Sequence, residues 1–459
     1  MPGTEWQSEV SILIAHPADA AIGAFGRDGQ LIVPKIRLSE HVCLDEPAAL
    51  IAAVCEQLGL KITELFPLGE IVDEQAATVT AAVACEVRTG VTDASGIVWI
   101  GADRLEMLSN EDRGPAREAL SRLGGEALGP CRAPWFARGW FAGAERWLRA
   151  AAKEAGYEPT GPVEQFRTWS ISSVLRVPTT RGMVYFKASA DMPLFVNEAL
   201  VTRALSSLFP EFVPAPLAID ARRDWLALAD FGEEVSWDAP LDVKIVIFRR
   251  FAQLQMASVE HVDRLLEAGC IDRRLDWLAR EQKEWLTGPL ARQLLSANEF
   301  SQLQSCSAWL PTLCADLASF GIPDALLHGD VHLGNAARNE RGYVFFDWTD
   351  AAVSHPFLDM ISIELEDDVS AAQAARAAYL AEWAAVYGPE SVQSSWDLAV
   401  VLMAANHAIS YLSLSSNIDS PGQDMADGGV RWLRRLLRGA SELAARRGAN
   451  EWKAWADPA

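Results

Sequence analysis

The chain has 459 residues, half of them apolar and 22% charged, which is the composition of globular proteins with buried cores rather than of disordered chains. It carries 40 Lys and Arg against 62 Asp and Glu, a formal net charge of −22. That balance disfavours nucleic acid and anionic membranes, both of which need a cationic surface; it leaves room for a cationic small molecule, although acidity mostly serves solubility.

At roughly 150 residues per domain the length predicts two to three domains. Residues 1–20 lack a basic region followed by a long apolar core, so no secretory leader is expected. No run of about 18 apolar residues stands out, and no membrane span is expected. The seven cysteines are scattered and form no C-x-x-C pair. This predicts a reduced, cytoplasmic protein in which most thiols are small core residues.

In chain order, apolar runs at 10–15, 20–25 and 31–33 around Asp28-Gly29 read as a hairpin with a tight turn. Residues 47–60 read as a helix ending near Gly59, followed by strands at 76–87 and 96–100 and a helix near 111–123. Gly124, Gly125, Gly129 and Pro130 mark a boundary. An aromatic-rich packing helix is predicted over 134–155, then a hairpin over 167–189 and a helix over 193–207. Strands follow at 215–219 and 225–229. Beyond Asp238 the pattern is helical at 242–268, 273–286, 297–318, 370–387, 394–415 and 426–447, with a β-like interlude at 325–348. The expected domains are an α+β N-terminal domain over 1–125, a linker helix and small β-rich lobe over 126–240, and a helical lobe over 241–459.

The interlude carries the chemistry: His328-Gly-Asp330-Val-His332-Leu-Gly-Asn335, then Phe345-Phe-Asp347-Trp348-Thr349-Asp350. Phosphoryl transfer to a hydroxyl needs a carboxylate to orient the alcohol, oxygen ligands for Mg²⁺ and a cation on the nucleotide phosphates. A D-x-x-x-x-N loop after a strand, followed by a strand ending in Asp, supplies base, amide ligand and metal carboxylate as Asp330, Asn335 and Asp347. Lys187, at the end of a hairpin strand, is the candidate cation. Glu198, eleven residues on in a predicted helix, is its candidate partner. The stretch Trp169-Ser-Ile-Ser172-Ser173 stands where a phosphate-covering loop belongs but contains no glycine.

With these motifs and Pro356-x-x-Asp359, residues 134–440 resemble the aminoglycoside phosphotransferase and choline kinase-like family, a branch of the protein-kinase-like fold. The resemblance implies a small β-rich lobe, a large helical lobe and ATP (or GTP) with Mg²⁺ bound between them. It implies Asp330 as catalytic base, Asn335 and Asp347 as metal ligands, and Lys187 on the phosphates. The segment Leu226-Ala-Leu228-Ala-Asp230 would meet the adenine, and Asp359 would support the catalytic loop. The implied acceptor is a small-molecule hydroxyl on an aminoglycoside, amino sugar, sugar or amino alcohol, possibly cationic. The alternative is a non-catalytic nucleotide sensor or scaffold.

Several residues have plainer readings. His328 reads as a structural hydrogen-bonding residue, His332 could face substrate or solvent, and Asp350 reads as a solvated carboxylate. The acidic run Glu364-Leu-Glu366-Asp367-Asp368 reads as a solvated helix face, although it could attract an amine. Residues 52–60 loosely resemble the end of a Nudix box. Ala52, Ala53 and Gln57 replace three of its four charged positions and leave Glu56, so Nudix hydrolysis is not expected.

Overall fold

The computed structural model describes residues 6–27, 30–88, 96–125, 133–418 and 423–447. The expected Asp28-Gly29 turn, and Gly129, Pro130 and Cys131, lie outside the described residues. The chain divides into two compact units, 1–190 and 191–459.

The first unit begins with β1 (Gln7–Ala15), β2 (Ile22–Arg27), β3 (Gln30–Ile32), β4 (Lys35–Leu38) and α1 (Ala48–Leu58), then β5 (Ile62–Asp73), β6 (Thr78–Val87), β7 (Ile97–Ile100) and α2 (Arg113–Gly124). The strands form one mixed sheet in the order β3-β2-β1-β6-β5, with β4 also on β1 and β7 on β2. β1 runs parallel to β6, while β2 and β4 share its other edge. Successive side chains of a strand point to opposite faces. Accordingly Val10, Ile12 and Ile14 pack with Leu50 and Val54 of α1, whereas Leu13 packs with Ala116, Ala119 and Leu120 of α2. The sheet therefore lies between two helices, and α1 ends at Gly59, whose left-handed φ of 67° suits a residue without Cβ. The sequence pattern missed β5. Pro67 and Gly69 interrupt it, and its pairing with β6 shifts register twice, so no clean alternation survives.

The unit continues with α3 (Trp140–Glu154) and the sheet β8 (Glu164–Thr168), β9 (Ser172–Thr179), β10 (Gly182–Ser189). The Gln165 side chain accepts from Glu64 N at 2.8 Å and donates to Glu64 O at 3.0 Å, and Thr168 N donates to Asp45 O at 2.8 Å. The N-terminal sheet and the hairpin are thus joined through backbone groups.

The second unit opens with α4 (Glu198–Leu208), the short hairpin β11 (Ala218–Asp220) and β12 (Trp225–Ala229), β13 (Glu233–Glu234), α5 (Leu241–Ser258), α6 (Val262–Glu267) and β14 (Ile271–Asp272). Next come α7 (Leu275–Leu286), α8 (Pro289–Leu294), α9 (Ala297–Ala318), β15 (Ala325–Leu327), β16 (Ala336–Asn339), β17 (Gly342–Phe345) and β18 (Ala352–Ser354). It closes with α10 (Ile361–Glu364), α11 (Val369–Tyr387), α12 (Pro389–Asn417) and α13 (Gln423–Arg447). α4 starts later than the predicted 193 because Leu194 has φ 68° and the Asn197 side chain caps Leu200 N at 3.0 Å. The predicted span 297–318 coincides with α9, whose start is fixed by a Ser296–Glu299 capping box.

α12 bears on the expectation that no helix spans a membrane. It is 29 residues long and carries an 18-residue window of mean hydropathy 1.5, long and apolar enough to cross a membrane, yet 72% of that window is buried inside the unit. Its apolar surface packs a core that holds Trp348, Trp383, Trp396 and Phe357. Among the described cysteines, Cys85, Cys270, Cys306 and Cys314 are buried as expected, while Cys43 and Cys55 are exposed.

Candidate active site

β15 delivers the chain into the loop that holds Asp330 and Asn335. β16 and β17 then form a hairpin that returns it to Asp347, beside the loop: Phe346 N donates to Asn335 O at 3.2 Å. Asp359 fixes the loop from below. This carboxylate is 1% exposed and accepts His328 N at 2.6 Å and Gly329 N at 2.8 Å. Burial pushes its carboxyl up to about 7 against the opposing pull of those two N–H groups. Gly329 has φ 85°, and a Cβ there would fall 2.4 Å from Asp350 Cβ, so the turn into Asp330 admits only glycine without rearrangement.

His328 is fully buried. Its Nε2 lies 2.8 Å from the Phe346 carbonyl, which can only accept, so Nε2 carries the proton. Its ring lies 4.5 Å from that of Trp348, and burial holds it below its ordinary pKa, hence neutral. It ties the loop to the Asp347 strand, the structural role expected of it.

The Asp330 side chain is 62% exposed, with His332 Nε2 3.4 Å from its Oδ2. Desolvation works to raise its carboxyl, but the His332 hydrogen bond, the largest of the opposing effects, helps hold it below the usual 3.8. Asn335 is buried, and its Nδ2 donates to Asp330 O at 2.9 Å. The amide oxygen is the end that Asp330 does not take. Asp347 has φ 67°, one of four non-glycine residues with positive φ among those described. Strain of this kind concentrates at functional sites. Its Oδ1 accepts from Thr349 Oγ1 at 3.0 Å.

Glu198 begins α4 and is 2% exposed. Its Oε1 accepts from Trp348 N and its Oε2 from Thr349 Oγ1, both at 3.1 Å. Lys187 lies half-buried in β10, opposite Val174 of β9, in the other compact unit. Ser172 and Ser173 open β9 instead of a loop, and both are buried. Ser172 Oγ accepts from Trp169 Nε1 at 2.6 Å, and Ser173 Oγ meets Thr168 Oγ1 at 3.3 Å. Leu228 is half-buried in β12, and Asp230 follows it, exposed, accepting from Gly232 N at 3.2 Å. Asp230 lines a cavity of about 590 Å³ with Pro214, Asn339 and Val344, none of the three carboxylate-loop residues among its walls.

Sequence reasoning did not find Trp237, Arg273 or His407. Trp237 is 63% exposed and stacks on His332 at 4.4 Å. Arg273, 4% exposed, donates to Ser410 Oγ at 2.7 Å and Asn406 O at 2.9 Å. His407 stacks on Trp432 at 5.1 Å. No motif links these positions: Arg273 reaches α12 from a distant segment, His407 lies on α12 itself, and Trp237 meets the loop through His332.

Among the described residues no group of three or more His, Cys, Asp or Glu could hold a metal. The residues that could hold one instead are one carboxylate, Asp347, and one amide oxygen, Asn335. Such hard oxygen ligands suit Mg²⁺, which binds through one or two protein groups together with substrate phosphates.

Residues 174–393 are matched by the model of the Phosphotransferase enzyme family, APH. Solved structures similar to the chain include a choline/ethanolamine kinase family protein from Mesorhizobium loti, with 16% identity and a TM-score of 0.48, covering 69% of this chain and 97% of that one. The choline kinase LicA from Streptococcus pneumoniae follows at 12% identity and a TM-score of 0.47, covering 65% and 99%. The macrolide 2'-phosphotransferase MphH from Brachybacterium faecium has 15% identity and a TM-score of 0.44, covering 63% and 98%. No curated relative matches the chain. The match stops short of residues 1–173, so the Nudix likeness gains no support. There Glu56 is exposed on α1, and Gln57 exchanges hydrogen bonds with the Arg37 backbone instead of facing a metal. Residues 174–393, a little under half of the chain, are thus similar to the phosphotransferase enzyme family, the resemblance that the motifs around Asp330, Asn335 and Asp347 carry.

Proposed function

We propose that this protein transfers the γ-phosphoryl group of ATP or GTP to a hydroxyl of a small molecule, with Asp330 as the base. The observation that carries the reading is the hydrogen-bonded pair Asp330–Asn335, held beside Asp347 by a loop that Asp359 and His328 fix from both sides. The acceptor oxygen attacks the γ-phosphorus, its proton passes to an Asp330 oxygen, and the bond to the β,γ-bridging oxygen breaks as the nucleoside diphosphate leaves. Asp330 stays ionised at neutral pH, as an accepting base must. Asn335 and Asp347 would hold Mg²⁺, which supplies neutralisation of phosphate charge when bound. Lys187 would meet the α- and β-phosphates, with Glu198 in support. Ser172, Ser173, Leu228 and Asp230 would contribute to the nucleotide site through backbone groups, since the serine hydroxyls already have partners. Residues 1–125 would form an accessory, non-catalytic domain.

Release of ADP or GDP, screened over amino sugars, sugars, amino alcohols and phosphorylated or carboxylated hydroxy compounds, tests the reading. Asp330→Asn should cut kcat by about 10²–10⁴ while leaving nucleotide binding in place. A fully active Asp330→Asn protein removes the base assignment. The glycine-free stretch at 169–173 favours one other reading, a nucleotide-binding sensor. Binding of Mg-ATP without turnover across the whole panel would support it.

A further inference from the structure

An exposed carboxylate that turns freely about its last torsion presents either oxygen to an acceptor. In Asp330 both side-chain contacts go to one oxygen. Asn335 Nδ2 lies 3.4 Å from Oδ2, and His332 Nε2 lies 3.4 Å from the same atom. Oδ1 meets no hydrogen-bond or ion-pair partner among the described residues.

His332 is itself directed. Its Nδ1 is buried and has no hydrogen-bond partner among the described residues. A proton there would be stranded, and an unpaired buried donor costs about 1–3 kcal/mol. The proton therefore belongs on Nε2, the nitrogen that faces Asp330. A separation of 3.4 Å is long for a finished hydrogen bond, and contacts of this kind often tighten only when substrate is bound.

Trp237 holds the imidazole from one side. The two rings stack at 4.4 Å with their planes 27° apart. Strand pairing brings the indole there. Glu233 and Glu234 lie opposite Arg338 and Ala337, Val235 N donates to Ala336 O at 3.1 Å, and the chain runs on toward Gly334. Gly334 leaves the space: a Cβ on it would fall 3.0 and 3.1 Å from two Trp237 ring atoms and 3.2 Å from His332 Cε1. Past Trp237 the chain turns away, with Asp238 N donating to Ser236 Oγ at 3.2 Å and Ala239 N to Ser236 O at 3.0 Å. At 63% exposed, the indole adds little to any core; its covered face rests on the catalytic loop. An aromatic stack contributes about 0.5–1.5 kcal/mol, enough to favour one ring orientation several-fold.

We propose that Trp237 and His332 are positioning residues for the base: the indole fixes the imidazole, the imidazole holds Asp330 Oδ2, and Oδ1 is the oxygen that faces the acceptor hydroxyl and takes its proton. The proposal rests on the phosphotransferase reading above and adds to it which oxygen acts. His332 neither gains nor loses a proton in the step; its Nε2–H donates to Oδ2 while the acceptor proton passes to Oδ1.

The test uses the full chain, with Mg-ATP or Mg-GTP and the acceptor that the nucleotide-release screen selects. His332→Ala should lower kcat by about 10–100-fold, the scale of a misplaced reacting group. The KM for nucleotide should stay within about threefold of wild type. His332→Gln, whose amide still donates, should regain part of the rate. Trp237→Ala should lose less than His332→Ala, and Trp237→Phe should stay near wild type. On an Asp330→Asn background His332→Ala should cost nothing further, because its effect passes through the carboxylate, whereas a loop that is merely unsettled would lose as much again. A second measurement needs no acceptor. In the chain labelled with ¹⁵N-histidine, the ring signal that vanishes in His332→Gln should be that of an Nε2–H tautomer, and it should move in both Trp237→Ala and Asp330→Ala. Full kcat in His332→Ala, an equal loss on the Asp330→Asn background, or a His332 signal unmoved by Asp330→Ala would overturn the proposal. A wild type that turns over no acceptor with either nucleotide sinks the phosphotransferase reading instead, and the His332 signal still decides whether the ring holds the carboxylate.

Discussion

Glu198 and Thr349 are 151 residues apart in sequence, yet the Thr349 hydroxyl lies 3.1 Å from Glu198 Oε2 and 3.0 Å from Asp347 Oδ1. One hydroxyl thus stands between a buried helix carboxylate and the carboxylate proposed to hold the metal. A hydroxyl has a single proton, so the two acceptors share one donor. This contact orients Asp347 from the first turn of α4.

Thr349→Val keeps the shape of the side chain and removes the donor. It leaves Glu198 Oε2 without this partner in a buried setting, at a cost of about 1–3 kcal/mol. The variant should melt lower than wild type. Its Mg²⁺ requirement should rise by about 10–100-fold, the usual effect of losing a group that orients a metal ligand. An unchanged Mg²⁺ titration would detach Thr349 from the site.

Asp347→Ala removes the only carboxylate in the proposed metal pair. It should abolish Mg-dependent nucleotide turnover without unfolding the chain, because Asp347 is only half-buried. Alanine keeps the Cβ at φ 67° and tolerates the left-handed region less well than aspartate, so the variant should melt equal to or slightly below wild type. Substantial turnover by Asp347→Ala would place the metal elsewhere.

Gly329→Ala should be far more damaging than Gly388→Ala. Both glycines have positive φ, 85° and 82°, but a Cβ at 329 meets Asp350 Cβ at 2.4 Å and its carbonyl at 2.5 Å, while nothing lies within 4 Å of one at 388. Gly388→Ala should show strain alone, about 1–2 kcal/mol. Gly329→Ala should lose turnover as well, since the loop that carries Asp330 must shift. Equal effects would mean the loop yields easily.

Two buried groups should give opposite pH dependences. His355 is fully buried and held down to about 3, while the unfolded chain titrates near 6.5. Below 6.5 the unfolded state binds more protons, so its contribution to stability falls as pH falls from 6.5 toward 3. His355→Asn keeps an acceptor for Phe357 N and should flatten that acid limb. Glu64 is buried with neither oxygen hydrogen-bonded, and burial raises its carboxyl well above 4.5. Its folded state holds the proton longer, so stability falls as pH rises above 4.5. Glu64→Gln should match wild type near pH 4.5 and melt higher at pH 8. Melting curves against pH check both signs.

The local pattern alone determined much of this protein. The helix over 297–318, the hairpin strands at 173–177 and 183–188, and the order of Asp330, Asn335 and Asp347 follow from periodicity, capping and short spacing, which act over a few residues. β5 was illegible because its register shifts remove the alternation that marks a strand. The acidic run at 364–368 read as a solvated helix face that could attract an amine, and only the fold gave Glu364, Glu366 and Asp368 their partners, from α5 and α11. The spacing of Arg431, Arg434, Arg435 and Arg438 on α13 was present in the sequence all along. That all four line one cavity depends on which face α12 covers and on the walls that Tyr411, Trp432 and Glu299 supply. Such meetings are set by packing between segments far apart in the chain, where sequence spacing carries no distance information. The net charge of −22, read alone, speaks mostly for solubility, whereas the packing gathers positive charge in one cavity.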